Sequence, residues 1–376
     1  MSEIKFKLAA GTNVGLVRDN NEDNFVVCSD LGTTEWLIPQ VGDFADLGEL
    51  GALLVVADGM GGANAGEVAS AIAIETIQKE FITENIKNAL ADDNEDIDKA
   101  IQEFMKSAVK KADLNILNHS KEDPSTTGMG TTIVMAWLLG KKAYICWCGD
   151  SRCYVLNKKK GLVQLSKDHS LVQELVDRGE LAPELMHEHP MSNVITRCLG
   201  ETDKRAEPDS RIYRLRNGDC IMLCSDGLCG LVSDEVIKET MAESQEDLME
   251  CKNQLISVAL ANGGYDNVTI ALACIEMEVE EDEDEVDEEN GDMQDGSNGQ
   301  PGDETKETEN KDVNKTNTDT IKKPRRHLTR NILIFIIIVA IIAALIVYVP
   351  QLEPVKKFLI ETWNSILEWF SKKGKS

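Results

Sequence analysis

Positive charge is scarce in this 376-residue chain, which carries 39 Lys and Arg against 66 Asp and Glu, a formal net charge of −27. A chain with this imbalance repels a phosphate backbone, which argues against nucleic acid as a partner. Histidine is scarce as well, with five in the whole chain, and these five do not fall in a zinc-ligand spacing. The two shortages argue against a nucleic-acid-binding protein and against a zinc enzyme.

The sequence also predicts no secretory leader, because residues 1–13 are charged and contain no apolar stretch of the length that a signal peptide needs. The ten cysteines lie singly within apolar runs between Cys28 and Cys274. The sequence therefore predicts a cytoplasmic domain in which the cysteines are buried, reduced thiols.

Charge also divides the chain into regions. Residues 1–277 carry 26 basic and 45 acidic side chains and contain the apolar runs of a globular domain. Residues 278–320 carry 3 basic and 18 acidic side chains and almost no apolar ones, which predicts an extended, disordered linker. Residues 321–376 carry 10 basic and 3 acidic side chains. The predicted domains are a globular domain at 1–277 and an acidic linker with a basic juxtamembrane segment at 278–331, followed by a membrane-associated tail.

That tail begins with an apolar run, residues 332–349, interrupted only by Tyr348. As a helix it measures about 27 Å, which is enough to cross a bilayer. The basic residues before it predict that residues 1–331 face the cytoplasm at the cell membrane. Residues 350–376 carry apolar side chains at helical spacing, which predicts an amphipathic helix on the outer membrane surface or, alternatively, a helix that binds a partner. The lipid bilayer is thus a predicted partner.

Strands outnumber helices in residues 1–277, and the helices come in consecutive pairs between groups of strands. This order favours an α+β fold in which helices cover the outside of sheets, rather than a doubly wound parallel sheet. The segment 180–200, with Pro183 and Pro190, is predicted to form a flap.

Acidic side chains recur where an apolar strand meets a turn. Three follow their strand and one precedes it, namely Asp58, Asp150, Asp226 and Asp266, and Glu22 with Asp23 makes a further acidic position before a strand. If the strand ends converge, these carboxylates repel one another unless a cation lies between them. An all-oxygen ligand set selects Mg²⁺ or Mn²⁺. The sequence therefore predicts a carboxylate-bridged metal site.

The acidic positions belong to short motifs that follow one another in a fixed order. They are Arg18-x-x-x-Glu22-Asp23, Asp58-Gly59-Met60-Gly61-Gly62, Gly130-Thr131-Thr132, Gly149-Asp150-Ser151-Arg152, Ser225-Asp226-Gly227-Leu228 and Asp266-Asn267. Over about residues 5–276 this order resembles that of the metal-dependent protein phosphatases, the type 2C or PPM family. The resemblance implies a four-layer αββα sandwich, in which two antiparallel sheets are covered by helices and hold metals at one end.

The resemblance also implies a ligand set. Asp58 would bridge two Mn²⁺ or Mg²⁺ ions, and the carbonyl group of Gly59 would bind one of them. Asp226 and Asp266 would complete the direct ligands, and Asp150 with Asp226 would hold a third, weaker ion.

Other residues would act less directly. The resemblance implies that Glu22 and Asp23 work through metal-bound water, and that Arg18 binds the substrate phosphate with its planar, permanently charged guanidinium group. Met60 stands where many eukaryotic members have a histidine that protonates the leaving group, so metal-bound water is the expected proton source here.

The function implied is that of a membrane-tethered serine/threonine phosphatase, in which a metal-activated water hydrolyses phosphoserine and phosphothreonine. Its partners would be phosphorylated proteins, among them membrane-bound kinases and their substrates. One alternative is a catalytically inactive phosphoprotein-binding module on a membrane stalk. The other is a cysteine-dependent phosphatase, because Cys146 and Arg152 fit a Cys-x5-Arg pattern. Chelators would inactivate the metal enzyme, and thiol alkylation the cysteine enzyme.

Overall fold

Two antiparallel β-sheets, each with helices on its outer face, form the part of the chain that the computed structural model describes. This part is residues 4–277 without 34, 35, 37–43, 62–64, 92–95 and 187. It lies in the first of the two units into which the chain divides, Met1–Asp287 and Glu288–Ser376.

The elements follow one another along the chain. The strands are β1 (Ile4–Asn13), β2 (Asn24–Cys28), β3 (Ala45–Asp46), β4 (Ala52–Ala57), β5 (Gly59–Met60), β6 (Gly130–Thr131), β7 (Ile133–Leu139), β8 (Lys142–Cys148), β9 (Arg152–Asn157), β10 (Gly161–Gln164), β11 (Asp209–Arg214), β12 (Cys220–Cys224) and β13 (Val268–Met277). The helices are α1 (Gly66–Glu80), α2 (Thr83–Ala89), α3 (Ile97–Glu122), α4 (Leu171–Asp177), α5 (Asp226–Cys229), α6 (Asp234–Glu243) and α7 (Leu248–Ala261).

One sheet has the strand order β10-β9-β12-β13-β1-β3, the other has β11-β8-β7-β4-β2, and β5 pairs with β6 in a small separate ladder. Strand β4 shows why the layers form. Leu53 and Val55 belong to the core beneath helices α1 and α3, whereas Leu54 and Val56 belong to the core between the two sheets. Successive side chains of a strand point to opposite faces, so a fully apolar strand fills two cores at once.

Helices α5, α6 and α7 cover the outer face of the other sheet, where a third core contains Met222, Ile237 and Leu255. The order of layers is therefore helices, sheet, sheet, helices, and the predicted α+β sandwich is confirmed. Helices α1 and α3 pack with β7 around Trp137. The centroid of its ring lies 5.4 Å from the centroid of the Phe81 ring. The predicted flap contains a 3₁₀ turn at Pro183–Leu185 and follows α4.

Strand β1 is the main element that the sequence analysis does not predict. Phe6 and Leu8 are buried, while Lys5 and Lys7, which alternate with them, are more exposed. This alternation is typical of a strand with one covered face. All ten residues of β1 pair with β13, from Ile4 opposite Met277 to Asn13 opposite Val268.

The expectation that all ten cysteines are free thiols is wrong for one pair. Cys220 and Cys274 lie directly opposite each other on β12 and β13, with their Cα atoms 4.0 Å apart, and form a disulfide. The other eight cysteines, all within the described residues, are thiols. The pairing depends on the register of two strands that are 54 residues apart in the chain, which spacing alone does not reveal.

Of the helices in the described residues, none is long and apolar enough to cross a membrane. The predicted span at 332–349 lies outside the described residues, as do the acidic linker and the amphipathic tail.

Candidate metal centre

Antiparallel pairing brings three acidic side chains to one end of the five-stranded sheet. Asp58 follows the last residue of β4, and Asp23 precedes β2, whose first residue, Asn24, pairs with Ala57. Asp150 lies two residues beyond β8, whose last residue pairs with the first residue of β7. Because β4 and β7 are also paired, the three carboxyl groups lie at the same end of the five-stranded sheet.

The six-stranded sheet contributes two more acidic side chains to the site. Asp226 is the first residue of α5, two positions after β12, and Asp266 lies two positions before β13. The end of β12 pairs with the beginning of β13, Cys224 opposite Ile270. Burial raises the pKa of Asp58, and the charges of Asp23, Asp226, Asp150 and Asp266 raise it further, so the strand ends of both sheets converge.

The backbone around Asp58 is tightly held. Its carbonyl oxygen accepts hydrogen bonds from the Thr132 amide at 2.8 Å and from the Thr131 hydroxyl at 2.9 Å. The next residue must be glycine, because a Cβ atom on Gly59 would lie 2.4 Å from the carbonyl oxygen of Glu22. The absence of a side chain thus lets the Asp58 turn lie directly against the segment that carries Glu22 and Asp23.

Asn267 was part of a motif, but its role was not predicted. Its side-chain amide donates to the carbonyl oxygens of Val14 at 2.9 Å and Asn20 at 3.0 Å, and its side-chain oxygen accepts from the Glu22 amide at 2.7 Å. A single buried side chain therefore fixes the loop between β1 and β2 to the turn that carries Asp266.

The buried Asp23 joins the two sheets at the site. Its carboxylate accepts a hydrogen bond at 2.8 Å from the hydroxyl of Ser225, the residue before Asp226. Burial raises the pKa of Asp23 to about 7, although the hydroxyl groups of Thr269 and Ser225 lower it. Burial also raises the pKa of Asp58 and of Asp226.

Asp150 carries a buried oxygen atom that could bind a cation. Its Oδ1 atom is buried and, among the described residues, it is the buried side-chain atom that has no hydrogen-bond partner. Burial raises its pKa to about 8, with further contributions from Asp226 and Asp168. A buried oxygen without a donor is costly unless a proton or a cation satisfies it.

His169 orients the turn before Asp150, and the sequence analysis did not identify it. The Gly149 amide donates to Nδ1 of His169 at 3.1 Å, and Nε2 lies 3.0 Å from Asp209. Since Nδ1 accepts, Nε2 carries the proton and donates it to Asp209. The ring stacks on Trp147, a second constraint on its position.

The Cys-x5-Arg pattern does not form a cysteine active site. Cys146 lies inside β8 with no exposed surface, and burial raises the pKa of its thiol. Arg152 is buried and makes a bidentate ion pair with Asp168, at 2.7 Å for Nη2, while its Nη1 donates to Tyr154 at 2.8 Å. The thiol of Cys146 and the guanidinium group of Arg152 are therefore both unavailable to bind or attack a substrate phosphate.

Arg18 lies at the open side of the carboxylates. Its Nη2 atom donates to Oδ2 of Asp266 at 2.7 Å, and both side chains are partly exposed. This hydrogen bond to Asp266 raises the pKa of Arg18, while burial opposes the rise. Arg18 therefore lies close enough to reach a phosphate bound at this end of the sheets.

A small cavity of about 120 Å³ adjoins the carboxylates. Asp150, Asp226 and Arg152 line it from the sheets, while Met186 and Asn193 line it from the predicted flap. Its volume is well below the several hundred Å³ of a typical small-molecule site, so it suits a group of the size of a phosphate or a hydrated ion.

Within the described ranges, no three His, Cys, Asp or Glu side chains are arranged so as to hold an ion as they stand. The donor set nevertheless fits divalent cations. It consists of oxygen atoms, several of its carboxyl groups have raised pKa values, and the Asp150 Oδ1 atom has no donor. A cation among these groups would remove both the mutual repulsion and the unsatisfied oxygen.

The chain combines a sandwich of two sheets and outer helices with an acidic candidate metal centre at one end of the sheets. A comparison with protein families identifies the family with which it is consistent. The family model for protein phosphatase 2C matches residues 43–261, more than half of the chain. The chain therefore belongs to the protein phosphatase 2C family.

Particular relatives are bacterial. The chain is similar to the serine/threonine protein phosphatase PstP of Mycobacterium tuberculosis, at 34% identity over 72% of this chain and 45% of that one, so it spans less than half of that relative. It is also similar to the serine/threonine phosphatase stp of Listeria monocytogenes, at 31% identity over 69% of this chain and 92% of that one. A solved structure of the PstP catalytic domain with two manganese ions matches with a TM-score of 0.55 and 33% identity, over 73% of this chain and 99% of that one.

The raised pKa values predict how pH affects the stability of the metal-free protein. The folded-state pKa values of Asp23 and Asp150, about 7 and about 8, exceed the unfolded value of about 3.9. The folded state then binds more protons, so stability falls as pH rises from about 4 through about 8. In chelator, we expect the melting temperature to fall by roughly 3 °C or more between pH 6 and pH 9.

Saturating Mn²⁺ should remove most of this fall, because the cation offsets the charge that the carboxylates acquire. In chelator, Asp150→Asn should flatten the dependence, whereas the exposed Asp203→Asn should leave it unchanged. Equal slopes with and without Mn²⁺ would contradict the assignment of these carboxylates to a metal centre.

Proposed function

We propose that the chain is a metal-dependent protein phosphatase that hydrolyses phosphoserine and phosphothreonine in proteins. The observation that carries this proposal is the convergence of buried carboxyl groups with raised pKa values around the unpartnered oxygen of Asp150, with Arg18 beside them. Membership of the protein phosphatase 2C family supports it, and so does the manganese complex of the similar PstP catalytic domain.

The residues that would hold the ions are the strand-end carboxylates. Asp58, the carbonyl group of Gly59, Asp226 and Asp266 would hold a pair of Mg²⁺ or Mn²⁺ ions, and Asp150 with Asp226 a third. When bound, the pair of ions would supply Lewis acidity that lowers the pKa of a water molecule and offsets the negative charge of the phosphoryl group in the transition state.

Glu22 and Asp23 would contact the ions indirectly, through bound water molecules. Both are held for that role, since the Glu22 amide bonds to Asn267 and the Asp23 carboxylate accepts from Ser225. Met60 has no proton to give to a leaving group, and both ring nitrogens of His169 are bonded. The leaving-group proton therefore comes from water in this proposal.

Arg18 would bind the phosphate. A guanidinium group offers paired donors that match two phosphate oxygens. In the structure it pairs with Asp266, and in a loaded site a cation would take over that carboxylate and leave Arg18 for the substrate.

The two alternatives differ from this proposal in their chemistry. A cysteine-dependent reaction is disfavoured by the burial of Cys146 and by the ion pair of Arg152. A catalytically inactive module would be expected to lack some of the ligand carboxylates, yet Asp58, Asp226 and Asp266 are all present at the same end of the sheets.

Substituting Asp226 tests the function. We expect the kcat of Asp226→Asn on a phosphothreonine peptide to be at least about a hundredfold lower than that of the wild type. The reason is that a metal ion that stabilises the charge of the transition state contributes several kcal/mol. The measurement is phosphate release by the purified full chain at saturating Mn²⁺, together with the Mn²⁺-induced rise in melting temperature.

The control is Asp203→Asn, which removes an exposed carboxylate and should change neither quantity. Near-normal turnover by folded Asp226→Asn would contradict the metal assignment. Absence of turnover by the wild-type chain, with or without Mn²⁺, would contradict the proposed function itself.

Substituting Arg18 tests phosphate binding. We expect Arg18→Ala to raise KM for a phosphopeptide about tenfold or more, since it removes a charged donor to the phosphate. The Mn²⁺ concentration for half-maximal activity should not rise, because the arginine competes for Asp266 rather than supporting the ions. Arg178→Ala, which removes an exposed arginine paired with Glu180, is the matched control. Unchanged KM in Arg18→Ala would disprove the role.

We further propose that residues 278–376 tether the phosphatase domain to the cytoplasmic face of the cell membrane, near membrane-bound phosphoproteins such as kinases. The proposal rests on the apolar run at 332–349, the basic residues before it and the acidic stretch that precedes them. A flexible chain of about 50 residues spans roughly 40 Å, and self-repelling charge extends it further.

A truncation separates the tether from the chemistry. The cut belongs after Met277, since β13 extends to this buried residue. We expect residues 1–277 to hydrolyse p-nitrophenyl phosphate with the kcat of the full chain, but to dephosphorylate a vesicle-anchored phosphoprotein more slowly than the full chain in the same vesicles. A truncated domain that is folded yet inactive on the small substrate would show that the tail belongs to the catalytic machinery.

A further inference from the structure

Four apolar side chains stand exposed beside Arg18, on two loops at the candidate metal centre. Leu16, Val17 and Tyr265 expose 67%, 60% and 63% of their surface, and Val14 exposes 37%. Val17 directly precedes Arg18, and Tyr265 directly precedes Asp266. We call Val14, Leu16, Val17 and Tyr265 the apolar rim. Exposed apolar residues that cluster around a polar site mark an interaction surface more often than scattered ones do.

The two loops are joined to each other. The Leu16 amide donates to the Gly264 carbonyl at 2.7 Å, and a Cβ atom on Gly264 would lie 3.0 Å from Cγ of Leu16. A Cβ atom on Gly15 would lie 2.3 Å from the carbonyl oxygen of Asp266, so the first loop lies directly on the second.

Hydrogen bonds from Asn267 to the carbonyl groups of Val14 and Asn20 fix the same loop on either side of Leu16 and Val17. The backbone that carries the exposed rim side chains is thus already fixed in one conformation. Binding of an apolar group to the rim therefore costs the loop little conformational entropy.

We propose that the apolar rim binds an aliphatic or aromatic side chain of the phosphoprotein substrate, within about three residues of the phosphorylated serine or threonine. The inference rests on the proposed function, because it takes the phosphate to lie at Arg18. An extended peptide advances about 3.3 Å per residue, so side chains one to three positions away fall within about 10 Å of the phosphate.

Charge favours an apolar neighbour over an acidic one. Residues 1–277 carry 45 acidic and 26 basic side chains, and Glu22 and Asp266 lie next to the rim. Acidic residues beside the phosphate would be repelled, whereas an apolar side chain gains from leaving water regardless of this charge. The partner is therefore a phosphoprotein segment with an apolar residue next to the phosphorylated one.

The test compares two phosphothreonine peptides that differ only in the residues two positions before and after the phosphothreonine, leucine in one and serine in the other. With the full chain at saturating Mn²⁺, we expect kcat/KM to be about tenfold higher for the leucine peptide, as when roughly half of a leucine side chain is buried. The preference should persist at high salt, because it does not rest on charge.

Two variants locate the preference on the rim. The double substitution Leu16→Ser with Val17→Ser, and separately Tyr265→Ser, should reduce the tenfold ratio to threefold or less. Leu114→Ser removes an apolar side chain that is 47% exposed on α3, and it should keep the ratio at about ten. Melting temperatures of all variants identify any that are not folded, and two independent rim variants keep the comparison decisive.

The outcomes separate the two claims. Equal kcat/KM for both peptides, with normal turnover of p-nitrophenyl phosphate, would overturn the inference and leave the proposed function standing. An unchanged ratio in both rim variants, or the same loss in Leu114→Ser, would also overturn it. Failure of the wild-type chain to hydrolyse either peptide or p-nitrophenyl phosphate would overturn the proposed function, and the inference with it.

Discussion

Burying carboxyl groups of like charge at one end of the two sheets is the constraint on which the rest of this domain depends. Burial raises the pKa of Asp23, Asp58, Asp150 and Asp226, and the charge of Asp226 raises the pKa of the other three further. Such an arrangement costs stability in any fold that has no cation to offset it. Hydrogen bonds of Asn267, Ser225 and Thr132 hold this arrangement in place.

The support for these carboxyl groups comes from residues that carry no charge themselves. Asn267 fixes the loop of Glu22, Ser225 joins Asp23 to the turn of Asp226, and Thr132 holds the Asp58 backbone. Each connects segments that are distant in the chain, which keeps the acidic side chains at the same end of the two sheets. A rigid frame of this kind keeps the geometry of a metal centre independent of motion in any single loop.

Most of the layered fold and all of the strand-end aspartates could be predicted, because both follow from local patterns. An apolar run that ends in Asp-Gly shows a buried strand and an acidic tip within a few residues. Strand β1, the Cys220–Cys274 disulfide and the partners of Arg152 and His169 could not be predicted in this way. Each depends on which strands pair, and in what register, across tens or hundreds of residues.

The register of β1 with β13 decides where the chain leaves the domain. Asn13 and Val268 meet at the end that carries the carboxylates, while Ile4 and Met277 meet at the other end of the same ten-residue ladder. At about 3.3 Å per residue, Met277 lies roughly 30 Å from the site. Both the first and the last described residues thus belong to the back of the domain. The chain therefore continues from Met277 at the end of the ladder opposite the carboxylates.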